Sequence, residues 1–382
     1  MLTTRGWAVL VLAIVGFLLA DLYSSRFLYL VSLAVAVAFV LSYVQLRVSS
    51  TGLKVTRSIA PNPCFESSQT SVEVQVQRRG LSAQVVGIQD QLPSSFRATG
   101  GTLRFGPYGR SIRYLYRLEA AERGEYEVGP SLILLRDVYG LFSARANVGA
   151  PTRLMVYPRY SQVDTKIEMR SLELLGPTTT HRRGSSSDFL SIRRYVHGDP
   201  VKSIHWRSSA KVGQLMVREL EAEEKGSVGV VLDCSRGNDL LFETGVRAAA
   251  SIAVTCLSMG MDVRLFLADD DLLVVDRGRG QVQCHAVLSA LARVRRGGGL
   301  SAAEMLRRVE RVSGWRGSIF FVTPQVGRFE AEWAMRLSSR GIAVSLVLTG
   351  SPDDLGVAAA IGSVGLAAAR MRGDEVKLDW IR

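Results

Sequence analysis

Two apolar runs separated by a short polar link open this chain. The first reads WAVLVLAIVGFLLADLY from Trp7 to Tyr23, and the second reads FLYLVSLAVAVAFVLSYV from Phe27 to Val44. Each run is long enough to cross about 30 Å of hydrocarbon as a helix. The link Ser24-Ser25-Arg26 leaves room only for a tight turn. Residues 1–45 are therefore predicted to form a transmembrane helical hairpin with both ends on one side of a bilayer.

A cleaved signal peptide is the alternative for the first run. Only Arg5 precedes that run, however, and no small-residue cleavage site follows it. Basic residues follow the second run, whereas the turn carries only Arg26, which is offset by Asp21. The basic residues after the second run are Arg47, Lys54, Arg57, Arg78 and Arg79. Because cationic flanks stay in the cytosol, we expect a two-pass protein of the cell membrane whose globular part is cytoplasmic.

Charge and cysteine content narrow the class of partner and the compartment. The formal net charge of +12 favours an anionic partner, which is acidic lipid head groups, nucleic acid or an acidic protein surface. The four cysteines form no CxxC pair and no regular framework, which is typical of a reduced, cytosolic protein. A disulfide scaffold is therefore not expected.

The stretch from residue 46 to 150 has the alternating pattern of short strands. Apolar and polar residues alternate in SVEVQVQ, Ser71 to Gln77, and in much of SIRYLYRLEA, Ser111 to Ala120. Turn clusters rich in Gly and Pro separate these runs. The pattern predicts an antiparallel β-sandwich of immunoglobulin-like type, which we interpret as a spacer or docking domain.

The next segment, residues 151–226, is polar and dense in charge between His181 and Glu224. Arginines, acids and aromatic residues are interleaved there, a mixture that predicts a packed, ion-paired platform. We expect Trp206 to pack between this platform and the sheet that follows. Three of the four histidines of the chain lie in this segment, at spacings that match no zinc-binding pattern.

One set of residues in this segment forms a spaced motif. Its members are Arg182, Arg183, Gly184, Asp188, Phe189, Arg193, Tyr195, Gly198, Asp199, Trp206, Gly213, Arg218 and Glu219. The motif resembles the signature of the domain-of-unknown-function family 58, except that His205 stands where the family usually has Asp before the Trp. Upstream, Tyr126, Asp137 and Gly140-Leu141-Phe142 resemble the middle domain of that family.

The resemblance implies partners and a role. Members of the family are typically encoded beside MoxR-type AAA+ ATPases. The resemblance therefore implies a membrane-anchored, von Willebrand factor A-like protein that works with such an ATPase in the assembly or maturation of other membrane or secreted-pathway proteins. It implies no catalysis by the chain itself.

From Ser227 to the end of the chain, apolar strand patterns alternate with helical ones. The strands are predicted at Ser227–Leu232, Val263–Leu267, Leu272–Val275, Ser318–Val322 and Ala343–Leu348, and the helices at Leu240–Met259, Val282–Val294, Ala302–Val312 and Glu330–Ser339. Such alternation predicts an α/β domain, residues 227–382, with a mainly parallel sheet. Ligands of such sheets bind beyond the carboxyl ends of the strands.

The first of these strands ends in the sequence Asp233-Cys234-Ser235-Arg236-Gly237. This run resembles the D-x-S-x-S opening of the metal-ion-dependent adhesion site of von Willebrand A domains, which implies Mg²⁺ held by carboxylate and hydroxyl oxygens. Gly replaces the second Ser, Leu300 stands where a Thr is expected, and Thr323 is followed by Pro324 instead of Asp.

With these oxygen donors missing, we expect no tightly bound cofactor, and only weak Mg²⁺ binding at Asp233 and Ser235. Asp233 is expected instead to cap the following helix or to pair with an arginine. The candidate arginines are Arg236 and Arg182.

Three functions remain open at this point. The first is a membrane-tethered scaffold or adaptor. The second is an enzyme that uses Asp199 and His205 as an acid-base pair. The third is a nucleic-acid-binding protein that stacks bases on Tyr195 and Trp206, although the interleaved acids would repel phosphate. We favour the scaffold.

Overall fold

The structure is a computed structural model of the chain. It describes residues 1–78, 84–99, 103–104, 111–163, 183–197, 199, 201–221, 227–268, 271–297, 300–312, 317–340, 342–350, 365–372 and 375–381. The chain divides into two compact units, Met1–Pro158 and Arg159–Arg382. The first unit ends beyond the predicted limit at residue 150, because the strand after that residue still pairs within it.

Two apolar helices begin the first unit, as predicted. They are α1 (Thr4–Leu22) and α2 (Arg26–Thr51). Both are long and apolar enough to cross a membrane, and only 11% of the most apolar window of each is buried inside the protein. A third helix of sufficient length, Asp239–Ser258, has 72% of its window buried and belongs to a protein core. The first two helices therefore present apolar surface outward, whereas the third does not.

Three sheets follow the helices in the first unit. The strands are β1 (Leu53–Ala60), β2 (Cys64–Phe65), β3 (Gln69–Arg78), β4 (Gln84–Asp90), β5 (Phe96–Thr99), β6 (Leu103–Arg104), β7 (Ser111–Ala120), β8 (Gly124–Val128), β9 (Ser131–Arg136), β10 (Ser143–Val148) and β11 (Thr152–Tyr157). The sheet orders are β1-β3-β7-β5, β10-β9-β4-β6 and β2-β11-β8. All pairs are antiparallel except β2 with β11. The buried residues of β3, β4, β7 and β9 share one hydrophobic core, so the predicted antiparallel sheets are confirmed.

A buried ion pair connects the two four-stranded sheets of the first unit, β1-β3-β7-β5 and β10-β9-β4-β6. Arg57 on β1 donates from Nε and Nη2 to the two carboxylate oxygens of Asp90, at 3.0 and 2.9 Å. Both side chains are 2% exposed. Asp90 also accepts hydrogen bonds from the hydroxyl of Tyr116 on β7, at 2.6 Å, and from that of Ser131 on β9. Four strands therefore meet at one carboxylate.

The second unit begins with a two-stranded sheet and ends with an α/β region. The first part contains β12 (Arg183–Arg194), a 3₁₀ turn (Val201–Ser203), α3 (Trp206–Val212) and β13 (Met216–Glu221). The α/β part contains β14 (Ser227–Leu232), α4 (Asp239–Ser258), β15 (Asp262–Ala268), β16 (Leu272–Gly278), α5 (Gly280–Arg293), α6 (Ala302–Val312), β17 (Ser318–Thr323), α7 (Arg328–Ser338), β18 (Ala343–Leu348), β19 (Gly365–Arg372) and β20 (Glu375–Ile381).

The α/β sheet has the order β16-β15-β14-β17-β18-β19-β20. The five inner strands pair in parallel and the two edge strands pair antiparallel. Every residue of β14 and β17 is buried, which is why both read as continuous apolar runs in the sequence. The predicted α/β region with a mainly parallel sheet is confirmed.

Candidate functional site

The spaced motif of residues 182–219 forms a two-stranded hairpin with a helical excursion between its strands. Arg183, Gly184, Asp188 and Phe189 lie on β12, and Arg218 and Glu219 lie on β13. In the register of the pair, Ile192 faces Arg218 and Ser191 faces Glu219. Arg182 and Gly198 lie outside the described residues.

An ion pair closes the start of the excursion. The guanidinium of Arg193 donates two hydrogen bonds of 2.7 Å to the two carboxylate oxygens of Asp199. The same carboxylate accepts a bond of 2.9 Å from the backbone N–H of Val196. Tyr195 donates its backbone N–H to the carbonyl of Leu215, at 2.8 Å. A bidentate pair of this kind fixes direction as well as distance, so Arg193 and Asp199 shape the loop.

His205 begins the short helix α3 as its N-cap residue. Its Nδ1 accepts a hydrogen bond from the backbone N–H of Ser208, at 3.3 Å, and lies 2.8 Å from the hydroxyl of that serine. Asp is among the strongest N-cap residues because its side-chain oxygen accepts the same bond. His205 stands where the signature that the motif resembles usually has Asp. The imidazole Nδ1 of His205 therefore supplies the hydrogen-bond acceptor that an Asp side chain would give to the helix.

The end of α3 is fixed by a glycine cap and by hydrogen bonds to the start of β13. Gly213 is the C-cap and has φ of 72°, a left-handed conformation that glycine adopts without steric cost. The hydroxyl of the buried Ser209 accepts the backbone N–H of Met216, at 2.9 Å. His205 donates its own backbone N–H to the carbonyl of Met216, at 2.8 Å. The helix is thus bonded back onto β13.

Apolar side chains point to solvent across this excursion, residues 194–215, which we name the tip. The exposed apolar residues are Val196, Val201, Trp206, Val212 and Leu215. Trp206 is 65% exposed, so the prediction that it packs against the sheet is wrong. It occupies the first turn of a short surface helix, where its side chain has solvent on most sides. Exposed cations accompany these residues, namely Arg194, Lys202, Arg207 and Lys211.

Asp199 and His205, the predicted acid-base pair, both have structural partners in the tip. The carboxylate of Asp199 holds Arg193 and a backbone N–H. The Nδ1 atom of His205 caps α3. Among the hydrogen bonds described, each of these residues therefore serves the shape of the loop.

A second polar cluster lies at the carboxyl edge of the parallel sheet, where β14 and β17 end. The Asp233 side chain is almost fully buried. One of its oxygens accepts bonds from the N–H and the hydroxyl of Ser235, at 2.9 and 2.7 Å. The other accepts the hydroxyl of Thr323, at 3.0 Å. Sequence reasoning named Asp233 and Ser235 but missed the contact with Thr323, which comes from 90 positions further along the chain.

Of the partners expected for Asp233, the structure tests the capping of the next helix and the pairing with Arg236, whereas Arg182 lies outside the described residues. Asn238, and not Asp233, caps helix α4. The guanidinium of Arg236 lies 2.9 Å from the carboxylate of Glu330, whose side chain is 1% exposed, so the predicted pairing of Asp233 with Arg236 is wrong. Among the ion pairs described, Glu330 is the acid that pairs with Arg236.

The donor set at Asp233 does not fit a Mg²⁺ site. Mg²⁺ requires near-octahedral oxygen coordination, usually with one or two carboxylates. Here the described residues supply one carboxylate, whose two oxygens already accept protein hydrogen bonds. Leu300, at the position of an expected threonine, is buried in the hydrophobic core of the α/β region. Weak Mg²⁺ binding at Asp233 and Ser235 stays a prediction.

Both polar features lie within a stretch of the chain that matches one family model. Residues 191–353 match the family model described as "Protein of unknown function DUF58". Within this match lie the tip, Asp233 and Glu330. An uncharacterised protein of Bacillus subtilis (strain 168), YeaD, is 29% identical over 181 residues. That alignment covers 45% of this chain and 45% of the relative, so the chain spans less than half the length of the relative it matches.

Solved structures give only distant similarities. A FixG-related protein from Vibrio parahaemolyticus has 12% identity, with a TM-score of 0.20, over 28% of this chain and 96% of that one. A GH20 exo β-N-acetylglucosaminidase from Vibrio harveyi has 9% identity, with a TM-score of 0.18, over 78% of this chain and 57% of that one. TM-scores this low carry no argument about fold or function.

Proposed function

We propose, from the match of residues 191–353 to the DUF58 family model, that this protein is a membrane-anchored scaffold or adaptor. In this proposal the tip binds a MoxR-type AAA+ ATPase, and the pair acts in the assembly or maturation of other membrane or secreted-pathway proteins. The chain itself carries out no catalysis. Helices α1 and α2 hold it in the bilayer.

The observation that carries the proposal is the surface of the tip. Large apolar side chains that are exposed within one short segment indicate an interaction site, because contact with water is unfavourable for them. Trp206, at 65% exposure, and Val201, at 67%, are the most exposed of them. Tryptophan and arginine are also the residue types that contribute most to binding at protein interfaces. The motif residues Arg193, Asp199 and Gly213 hold the backbone that presents this surface.

The charge of the tip specifies the chemistry of the partner. The same segment carries exposed cations, which are Arg194, Lys202, Arg207 and Lys211. The acid Asp199 is bonded to Arg193 and offsets that arginine. A surface that combines exposed apolar side chains with exposed cations fits a partner surface that combines apolar side chains with acidic ones, since such complementarity guides association and selects the partner.

We further propose that the α/β region is a domain of von Willebrand factor A-like type. A mainly parallel sheet with an acid at the end of β14 supports this assignment. In this chain the carboxylate of Asp233 accepts hydrogen bonds from the hydroxyl groups of Ser235 and Thr323. We propose that Asp233, Ser235 and Thr323 tie the ends of β14 and β17 together, as a structural remnant of a metal site.

The side of the membrane is also a proposal. Basic residues after α2, against a single arginine in the turn between the helices, support a cytoplasmic position for the globular part. Fusion of green fluorescent protein to the C-terminus should give fluorescent cells. Alkaline phosphatase at the same position should be inactive. The opposite pair of results would place the globular part outside the cytoplasm.

Binding of the purified ATPase tests the proposed role of the tip. The full chain is placed in lipid nanodiscs and titrated with a MoxR-type ATPase from the same organism. We expect Trp206→Ala to weaken binding about 30-fold, which corresponds to the 2 kcal/mol typical of an interface hot spot. Because Trp206 is exposed in the free protein, the substitution should leave the melting temperature unchanged.

A matched control separates this effect from general loss of apolar surface. Val282 on α5 is 85% exposed, so Val282→Ala removes an exposed apolar side chain of the same unit outside the tip. We expect this variant to bind the ATPase as the parent does. Equal affinity of the Trp206→Ala variant and the parent would contradict the proposal, as would an equal loss in both variants.

A further inference from the structure

The turn between β9 and β10, residues 137–142, is built around one buried acid. The side chain of Asp137 accepts the backbone N–H groups of Tyr139, at 3.1 Å, and Phe142, at 2.6 Å. Its carbonyl accepts the N–H of Gly140, which has φ of 72°. These bonds fix the backbone of the turn. Val138 and Tyr139, which are 48% and 66% exposed, project from it.

The first residues of the chain are bonded to this turn. The amino group of Met1 donates to the carbonyl of Ser143, at 2.7 Å. Thr3 donates its backbone N–H to the carbonyl of Leu141, at 2.9 Å, and its hydroxyl to that of Gly140, at 2.6 Å. The same hydroxyl accepts the N–H of Gly6 and so caps α1. The turn therefore lies at the start of the first apolar helix.

Contact at Gly6 is close enough to exclude any side chain there. A Cβ atom at this position would lie 2.2 Å from the carbonyl oxygen of Leu141, which is far inside the van der Waals distance. The glycine thus allows the helix backbone to touch the turn. The close contact between Gly6 and Leu141 therefore fixes the position of the turn along the axis of α1.

The side chain of Phe142 shows how deep the turn reaches along α2. Its ring centroid lies 4.7 Å from that of Phe39 and 5.5 Å from that of Tyr43. Both partners belong to the apolar run that ends at Val44. Phe39 precedes Val44 by five residues, about 7.5 Å along a helix axis at 1.5 Å per residue. A side chain of the β-sheet region therefore packs within the length of a helix able to span a membrane.

From these contacts we propose that the 137–142 turn enters the interface of the bilayer. Val138 contacts the part of the acyl chains that lies next to the head groups, and Tyr139 lies at the level of the lipid head groups. Tyrosine and tryptophan favour this level because one end of the ring system is apolar and the other is polar. Trp7, which is 60% exposed near the start of α1, lies in the same zone. The inference rests on the proposed membrane anchoring by α1 and α2.

Depth-dependent fluorescence quenching tests the inference in the full chain. The protein carries Cys284→Ser, because this is the one cysteine of the chain that is not buried. A cysteine is then introduced by Tyr139→Cys and labelled with an environment-sensitive nitrobenzoxadiazole dye. The protein is reconstituted into vesicles of phosphatidylcholine and phosphatidylglycerol that contain lipids spin-labelled near the head group or near the chain end.

We expect the dye at position 139 to lose fluorescence mainly with the label near the head group. Two control positions accompany it. Leu115→Cys, on β7, replaces a 64% exposed residue of the β-sheet region and should respond to neither label. Leu33→Cys, in the middle of α2, should respond most to the label near the chain end.

The controls separate the failure of each proposal. If the dye at position 33 is quenched and the dye at position 139 is not, the turn stands clear of the bilayer and the inference is wrong, while anchoring by the helices holds. If neither is quenched, the helices do not span the bilayer and both proposals are overturned. Equal quenching at positions 139 and 115 would also contradict a specific role of the turn.

Discussion

Substitution of Asp90 tests the energetic role that the structure gives to the buried ion pair. Asp90→Asn keeps the shape of the side chain and removes its charge. The guanidinium of Arg57 then stays 98% buried without a counter-charge, because its other acceptors, the carbonyls of Val128 and Ala150 and the hydroxyl of Ser131, are neutral. Breaking a buried pair in this way destabilises a protein by about 3–5 kcal/mol.

The double variant Arg57→Met with Asp90→Asn should be less unstable than the sum of its parts. It removes both charges, so no buried ion remains unpaired. Residues that share one network show coupling energies of up to about 3 kcal/mol, and we expect about 2 kcal/mol here. Arg113→Met and Glu73→Gln provide a control, since this pair is 3.9 Å apart with side chains 75% and 45% exposed. The control substitutions should each change stability by less than about 0.5 kcal/mol.

Amide hydrogen exchange measured by mass spectrometry on the full chain in nanodiscs gives the local opening free energy of β4 and β9. The method suits a chain with two units and a membrane anchor, because it reports on each region without assuming a single unfolding transition. Asp90→Asn should speed exchange in both strands, and the double variant should restore part of the protection. Additive effects of Arg57→Met and Asp90→Asn would refute the claim that the two side chains form one buried network.

Three further predictions follow from local contacts. Burial alone would raise the pKa of Asp90, but hydrogen bonds from Arg57, Ser131 and Tyr116 and the charge of Arg57 hold that pKa below its ordinary value. The stability that the ionised Asp90 contributes is therefore complete above the unfolded-state pKa of about 3.9, and it is lost as the pH falls through the lower folded-state pKa. Amide hydrogen exchange of β4, measured over a series of acidic pH values, reports this loss. His205→Ala should destabilise α3 by about 1 kcal/mol, because alanine removes the hydrogen-bond acceptor that caps the helix. His205→Asp keeps such an acceptor and should leave the stability of α3 unchanged. Amide hydrogen exchange of residues 206–212 distinguishes the two variants. Gly6→Ala should push α1 away from Leu141 and speed exchange of the Ser143 amide, which bonds to the carbonyl of Met1; unchanged exchange would mean that the close approach is not needed.

Sequence periodicity predicted most of the regular elements because burial imposes it. In β7 the inward residues Tyr114, Tyr116 and Leu118 alternate with outward ones, so a single run of ten residues identifies the strand. In β14 and β17 burial on both faces gives continuous apolar runs instead. The two C-terminal strands were missed. β19 reads GLAAARMR, and its alanines and arginines favour helix, so its pairing with β18 and β20 makes it a strand.

The contacts that define the sites could not be predicted from local pattern. Arg57 and Asp90 are 33 positions apart, and Asp233 and Thr323 are 90 apart. Tertiary folding alone brings these pairs together. The error at Trp206 has a different cause, because a tryptophan in a charged segment is consistent with packing as well as with display. Only the position of Trp206 in the first turn of a short surface helix decides between them.

The central claim, that the tip is the docking surface for a protein partner, is tested most directly by site-specific photo-crosslinking. A photoreactive phenylalanine analogue is placed at position 206, at position 282 and at position 235 in separate full-length proteins in native membranes that also contain the MoxR-type ATPase. We predict a crosslink to the ATPase from position 206 and none from position 282 or 235. Crosslinks from position 235 or 282 without one from position 206 would contradict the account.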